Sequence, residues 1–199
     1  MKIAVFASGR GTNFSAILKA SRKNIFKAKI ALLICDNPKA PVLRKAKLGK
    51  IKSILVNRQN YPSRESFEEE IIKHLKNENI GLIVLAGFMR MLSPEFVRKY
   101  KNRIMNIHPS LLPSFKGAQG IKDAFDYGVK ITGVTVHFVD EHVDHGPVIL
   151  QESLKIRNNE TLTSLEKRIH QTEHQLYPQA IKLFTLDKLK TTKRRIKIL

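Results

Sequence analysis

The apolar run at residues 80–86, Ile-Gly-Leu-Ile-Val-Leu-Ala, restricts the fold more than any other segment. It has the length of a strand, yet polar and apolar residues do not alternate along it, so both of its faces are expected to be buried. Further apolar runs alternate with helical patterns, the runs at 2–7, 29–35 and 52–56 and the patterns at 14–18, 41–49 and 63–75. We therefore predict an α/β protein with a doubly wound, mostly parallel sheet.

The C-terminal half of the chain departs from this pattern. Residues 133–139, Gly-Val-Thr-Val-His-Phe-Val, alternate between the two faces of a strand, and a second strand follows at 147–154. We expect these strands to form an antiparallel hairpin joined by the acidic loop 140–146. A long helix is then predicted to begin at a capping box, Thr-Ser-Leu-Glu at 163–166, and to continue past Pro178.

The chain is expected to form one domain over residues 1–199. Its basic tail, about 187–199, is predicted to be either a final edge strand or a disordered arm. In the helix that begins near Ser63, several glutamates are expected to face solvent or to cap the helix start, namely Glu65, Glu68, Glu69 and Glu70.

The net charge is unusual, since 36 Lys and Arg residues against 17 Asp and Glu give +19 at pH 7. This balance favours an anionic partner, which leaves nucleic acid, a membrane surface and small phosphorylated or carboxylated substrates open. A solvated surface without specific purpose is a further alternative. The chain has no apolar run of transmembrane length, no signal-peptide pattern and only one cysteine, Cys35. We expect a cytoplasmic monomer or homodimer that does not bind membranes.

A glycine-rich turn, Ser-Gly-Arg-Gly-Thr-Asn at residues 8–13, lies between the first strand and the first helix. Free amides and the helix dipole make such a turn a site for a phosphate group. Phe14 occupies the position of the third glycine of a dinucleotide fingerprint, so a small phosphorylated ligand is favoured over a dinucleotide. A tight turn without a ligand is the alternative.

The stretch Asn-Ile-His-Pro-Ser-Leu-Leu-Pro, residues 106–113, ends a short buried strand with a loop stiffened by two prolines. The two-residue period of a strand sends Asn106 and His108 to the same side. An amide donor and an imidazole on one side are suited to stabilising an oxyanion. A core histidine beside a turn asparagine is the alternative. The bond Leu112-Pro113 is a candidate for the cis form.

Two further loops carry chemical groups. Residues 87–92, Gly-Phe-Met-Arg-Met-Leu, offer an apolar, sulfur-rich lip for a flat aromatic ligand, although ordinary packing before a helix is the alternative. The acidic loop and the strand before it hold five groups able to bind a metal, namely His137, Asp140, His142, Asp144 and His145. Their spacing matches no tight zinc pattern, so we expect no metal.

Together these segments resemble one family. The turn at 8–13, Leu-Ala-Gly-Phe-Met-Arg at 85–90, the stretch 106–113, the loop at 140–147 and Glu-His-x-x-Tyr-Pro at 173–178 resemble the glycinamide ribonucleotide formyltransferases. The resemblance covers about residues 1–185 and implies a Rossmann-like sheet. It also implies transfer of a formyl group from 10-formyltetrahydrofolate to 5'-phosphoribosylglycinamide in purine biosynthesis, with small-molecule substrates and no metal.

The resemblance also implies roles for particular residues. The catalytic positions are Asn106, His108 and Asp144. The positions that bind phosphoribosylglycinamide are Gly11, Thr12, Asn13, Phe14, Ser15 and Glu173. The positions that bind the folate are Arg64, Met89, Arg90, Met91, Leu92, Asn106, Asp140, Val143 and Asp144. We expect Asp144 to raise the pKa of His108 and to hold that side chain charged.

Two other functions compete with this one. A formyltransferase acting on initiator methionyl-tRNA shares parts of the 106–113 stretch, but that family has a further C-terminal domain and lacks the phosphate turn. A nucleic-acid-binding module would use the positive charge, but it gives no role to Asn106, His108 and Asp144. Gln119 stands where many members of the family carry histidine, and it can donate a hydrogen bond but cannot titrate. We expect no specific binding of nucleic acid.

Overall fold

The computed structural model describes residues 1–199. Its main sheet has seven strands in the order β3-β2-β1-β4-β5-β6-β7. The strands are β1 (Lys2–Phe6), β2 (Lys29–Cys35), β3 (Ser53–Leu55), β4 (Ile80–Leu85), β5 (Ile104–His108), β6 (Ile131–Phe138) and β7 (Val148–Lys155). The helices are α1 (Thr12–Arg22), α2 (Val42–Leu48), α3 (Arg64–Asn77), α4 (Pro94–Lys99), α5 (Gly120–Tyr127) and α6 (Leu162–Thr185).

The predicted doubly wound architecture is confirmed. Strands β1 to β5 pair in parallel, whereas β6 and β7 are antiparallel to their neighbours. Apolar side chains form one cluster on each face of the sheet, the first beneath α1, α2 and α6 and the second beneath α3 and α4. Because helices cover both faces, β4 needs no polar face, which explains its unalternating sequence.

Helix α6 ties the two antiparallel strands and the parallel sheet together. It begins at Leu162, where the Thr161 side chain accepts a hydrogen bond from the Ser164 N–H, so the predicted cap at 163–166 is two residues too late. The helix runs unbroken through Pro178. The buried hydroxyl of Tyr177 is shared between the carbonyls of Leu85, at 2.8 Å, and Met105, at 2.9 Å.

The basic tail adopts neither of the two predicted structures. It forms a separate two-stranded antiparallel sheet from β8 (Leu189–Thr192) and β9 (Arg195–Ile198). Leu189 and Ile196 pack against the first apolar cluster, and this burial explains why the segment folds despite its charge. No helix of the chain combines the length and the apolar composition that crossing a membrane requires.

Glu68 corrects the prediction that the glutamates of α3 face solvent or cap the start of that helix. It is buried and accepts hydrogen bonds from the Ser93 N–H at 2.7 Å and from the Ser93 hydroxyl. Ser93 is the N-cap of α4, and its hydroxyl oxygen in turn accepts the Phe96 N–H. The carboxylate therefore fixes the start of α4 directly after the lip at 87–92.

We predict that Glu68→Ala lowers the free energy of unfolding by about 2–3 kcal/mol, because the buried Ser93 N–H loses its charged acceptor. Urea unfolding measures this change. Glu69→Ala is the matched control, since Glu69 is the next residue of α3 and is exposed. An equal effect of the two substitutions would contradict the role given to Glu68.

Candidate active site

A cleft of about 880 Å³ opens at the carboxyl ends of β1, β4 and β5. Ligands of doubly wound proteins bind at this edge of the sheet, and the volume suits a ligand of folate size. The loops after these strands, the loop after β6 and one face of α6 line the cleft. Most of the predicted site residues lie on it, whereas Phe14, Ser15 and Arg64 do not.

Three polar side chains meet at the base of the cleft. Strand pairing puts Asn106 of β5 opposite His137 of β6, and the loop after β6 returns Asp144 to the same point. His108 Nδ1 lies 3.3 Å from Asp144 Oδ2, and Asn106 Nδ2 donates to Asp144 Oδ1 at 3.4 Å. The Gly117 N–H donates to Asp144 Oδ2 at 2.8 Å. The carboxylate thus links the two predicted donors.

His137 orients the Asn106 amide. Its Nδ1 lies 2.8 Å from the Phe138 carbonyl, so Nδ1 carries the hydrogen and donates it. The Nε2 atom lies 3.2 Å from Asn106 Nδ2 and 3.7 Å from Asp144 Oδ1. The strand pattern placed His137 on one face with Thr135 but offered it only as a metal ligand, because the partner of β6 is not visible in the sequence.

Both donors already have partners in this structure. His108 Nε2 lies 2.7 Å from the Phe115 carbonyl. A Cβ at Gly120 would lie 2.8 Å from that same carbonyl oxygen and 3.1 Å from His108 Nε2, so glycine gives this contact its space. A substrate oxygen must therefore replace an existing acceptor of His108 or Asn106. The 3.4 Å contact of Asn106 with Asp144 is the weakest of these hydrogen bonds.

Burial opposes the predicted effect of Asp144 on His108. Burial lowers the pKa of His108 below its ordinary value of 6.5, and this effect exceeds the opposing influence of Asp144 and the Phe115 carbonyl. Asp144 thus raises this pKa, as predicted, but by less than burial lowers it. Burial also disfavours the Asp144 carboxylate. However, His137, the Gly117 N–H and His108 outweigh that cost and lower the pKa of Asp144. Asp144 is thus available as an ionised acceptor.

We predict that Asp144→Asn lowers the pKa of His108 further, because the substitution removes the charge that partly offsets burial. NMR titration of the imidazole C–H signals measures the shift. His170 is the internal control, since its pKa is raised by Glu173 rather than by Asp144. A higher pKa of His108 in the variant would contradict this electrostatic account.

A buried network holds the loop after β5. The Thr135 hydroxyl donates to the Ser110 carbonyl at 2.7 Å and accepts the Leu112 N–H at 3.1 Å. The Gln151 side chain donates to the Leu112 carbonyl at 3.0 Å. The Leu112-Pro113 bond is cis, as the sequence suggested. The loop is therefore fixed to β6 and β7 rather than by its prolines alone.

The glycine-rich turn delivers free amides to one end of the cleft. Gly11 has φ of +66°, and a Cβ there would lie 2.4 Å from the Val42 side chain, so glycine is required. The Ser15 N–H already donates to the Gly11 carbonyl at 3.1 Å, so the free amides of α1 end at Phe14. The Phe14 side chain is in the core, and Ser15 turns its hydroxyl to Gly11. Neither side chain reaches the cleft.

Asn13 and Glu173 meet on the cleft wall. Asn13 Nδ2 donates to Glu173 Oε2 at 2.9 Å, and His170 Nδ1 lies 3.1 Å from the same oxygen. Asn13 Oδ1 is buried without a hydrogen-bond partner. His170 is a site residue that the sequence did not single out. Its only signal is its position three residues before Glu173 on α6.

The apolar lip forms the other end of the cleft. Met89 and Met91 are 70% and 66% exposed, so these large side chains lack a protein partner. The Met89 N–H donates to the Ser8 hydroxyl at 2.9 Å, and Arg90 pairs with Asp36 at 2.7 Å. These contacts hold the lip against the ends of β1 and β2.

Arg64 lies away from this lip. It pairs with Glu68 at 3.4 Å at the start of α3 and does not line the cleft. No three His, Cys, Asp or Glu side chains cluster closely enough to hold an ion.

The fold and this site define a formyl transferase. The formyl transferase family matches residues 1–181, so the chain belongs to that family. Within the family it belongs to the phosphoribosylglycinamide formyltransferases. The Bacillus subtilis enzyme of that name is 44% identical over 181 residues, which cover 91% of this chain and 93% of the relative.

Solved structures agree with this assignment. Glycinamide ribonucleotide transformylase 1 from Symbiobacterium toebii superposes with a TM-score of 0.97 at 38% identity, covering 100% of this chain and 94% of the other. The transformylase 1 from Geobacillus kaustophilus gives a TM-score of 0.90 at 46% identity, covering 92% of this chain and 98% of the other.

Proposed function

We propose that this protein transfers the formyl group of 10-formyltetrahydrofolate to the amine of 5'-phosphoribosylglycinamide, giving formylglycinamide ribonucleotide and tetrahydrofolate in de novo purine biosynthesis. The observation that carries the proposal is the meeting of Asn106, His108 and Asp144 between an anion-binding turn and an apolar lip. The names of the relatives given above describe this reaction, which supports the substrate assignment.

The two substrates fit opposite ends of the cleft. The free amides of Thr12, Asn13 and Phe14 bind the phosphate at the positive end of α1. Glu173 accepts hydrogen bonds from ribose hydroxyls. The exposed side chains of Met89 and Met91 cover the flat pterin ring of the folate, and Val143 covers its other side. Arg64 lies outside this contact surface and reaches only the far, acidic end of a folate.

Three side chains, those of Asn106, His108 and Asp144, act at successive stages of the transfer. As the amine forms its bond to the formyl carbon, negative charge grows on the formyl oxygen, and the Asn106 amide stabilises it. His108 assists when its Nε2–H exchanges the Phe115 carbonyl for that oxygen. Asp144 takes the proton from the attacking amine, directly or through water, and returns it to the folate nitrogen as the original carbon–nitrogen bond breaks. No covalent enzyme intermediate is needed.

The direct test measures formyl transfer from 10-formyltetrahydrofolate to phosphoribosylglycinamide, followed by the absorbance of the folate product. Transfer that requires both substrates is expected. Weaker transfer when phosphoribosylglycinamide is replaced by ribosylglycinamide, which lacks only the phosphate, would show that the phosphate turn is used. Absence of transfer by the intact chain, with both substrates saturating, would refute the proposal.

We predict that Asn13→Ala raises KM for phosphoribosylglycinamide about tenfold or more and changes KM for the folate much less, because Asn13 lies at the phosphate end. Steady-state kinetics with each substrate varied in turn gives both values. Ser15→Ala is the control, since the Ser15 side chain is off the cleft. Equal changes in both KM values would refute the site.

A further inference from the structure

The turn of the C-terminal hairpin touches the loop that carries Asp144. Thr192 pairs with Arg195, which leaves Lys193 and Arg194 as a two-residue turn. Arg194 Nη2 donates to the His145 carbonyl at 2.8 Å, and Arg194 Nη1 contacts the ring nitrogens of His145. His145 directly follows Asp144. The turn of this basic hairpin therefore contacts the residue next to the carboxylate at the base of the cleft.

A directional chain of hydrogen bonds continues from this contact into the loop. His145 Nδ1 lies 2.6 Å from Asp140 Oδ2, so Nδ1 carries the hydrogen and Nε2 accepts from the guanidinium. The other oxygen of Asp140 accepts the His142 N–H at 3.1 Å. Arg194 therefore holds both ends of the segment 140–145 through one histidine. The Asp140 carboxylate supplies the negative charge that balances the guanidinium.

The backbone of this loop requires such support. Asp144 has φ of +46°, in the left-handed region that costs a residue other than glycine about 1 kcal/mol or more. Gly146 follows so close to the end of β6 that a Cβ there would lie 1.9 Å from the Phe138 carbonyl. The chain is thus fixed just after Asp144 by Gly146, and the Arg194 contact fixes His145 between them.

We propose that Arg194 is a positioning residue: it holds the loop 140–146 in the conformation that places Asp144 against His108 and presents the loop backbone to the folate. It does so without touching either substrate, because the hairpin lies outside the cleft. The kinetic part of this inference rests on the proposed function, whereas the structural part concerns the loop alone. The hairpin would thus support the loop 140–146, a role that the positive charge of the tail did not indicate.

Hydrogen exchange tests the structural part with the full-length chain and no substrate. In Arg194→Ala, the amides of residues 140–146 are expected to exchange about tenfold faster, because a hydrogen bond from a charged donor is lost. Arg195→Ala is the matched control, since Arg195 is the next residue of the same hairpin and is exposed like Arg194 but does not contact His145. Unchanged exchange in Arg194→Ala would overturn the inference.

Kinetics tests the functional part. Arg194→Ala is expected to raise KM for the folate about tenfold and to leave KM for phosphoribosylglycinamide within about twofold. Arg194→Lys keeps one donor for the His145 carbonyl, so it should recover part of both the exchange protection and the folate KM. If lysine behaves like alanine, or if both KM values rise together, the positioning role is overturned. If the parent chain lacks transfer activity, the proposed function fails. The exchange experiment still tests whether Arg194 stabilises the loop 140–146.

Discussion

Asp144→Asn is expected to lower kcat by about two or more decades while the fold persists. Asparagine keeps an oxygen that can accept the Gly117 N–H and stay near Asn106, so the loop keeps its shape. It loses the ionised oxygen that we propose takes a proton from the attacking amine. Because the pKa of Asp144 is lowered in the folded protein, the parent enzyme has this oxygen ionised throughout the neutral range.

Single-turnover kinetics at saturating substrates isolates this effect from binding. Asp123→Asn is the matched control, since Asp123 is an exposed aspartate of α5. The control should keep parent turnover, and circular dichroism should show the same fold for all three proteins. Turnover of Asp144→Asn within about threefold of the parent would remove Asp144 from the proton transfer.

His108→Ala is the second change with a large expected effect, again about two or more decades in kcat. The substitution removes the proposed oxyanion donor and also the ring that lies against Asp144 Oδ2. Burial lowers the pKa of His108, whereas the acceptors beside its two ring nitrogens, Asp144 Oδ2 and the Phe115 carbonyl, favour the protonated ring. Because alanine supplies no donor at any pH, the loss should appear in kcat across the range from about pH 6.5 to 9.

The control for this substitution is His74→Ala, because His74 lies on α3 next to Glu70 and away from the cleft. A pH profile of kcat/KM for parent and variants completes the experiment. A loss of parent activity with rising pH that is absent from His108→Ala would show that the charged ring is the donor. Near-normal turnover of His108→Ala would refute the role altogether.

The sheet could be predicted because its information is local. The continuous apolar sequence of β4 indicates that both of its faces are buried, and the alternation of residues in β6 distinguishes its two faces. Asn106 and His108 were found for the same reason, since two residues of one strand share a side by geometry. Asp144, in contrast, was assigned through family resemblance alone, because 38 residues of chain separate it from Asn106.

The errors arose where distant segments meet. Glu68 was expected to face solvent or to cap α3 because its partner, Ser93, lies 25 residues away at the start of α4. The sequence indicated the carboxylate that raises the pKa of His108, but not the burial that opposes it. The start of α6 was misplaced by two residues because two threonines compete for the cap, and only Thr161 has the extended backbone that a cap requires.

Tyr177 has a consequence for how the two substrates are aligned. Its hydroxyl is hydrogen-bonded to the carbonyls of Leu85, the last residue of β4, and Met105, the second residue of β5. Glu173 lies one helical turn earlier on the same face of α6. The distance from the proposed ribose-binding carboxylate to the strand that carries Asn106 is thus set by one aromatic ring and one turn of helix. In the proposed function, the substrate held by Glu173 is therefore aligned with Asn106 through the buried core rather than through the loops around the cleft.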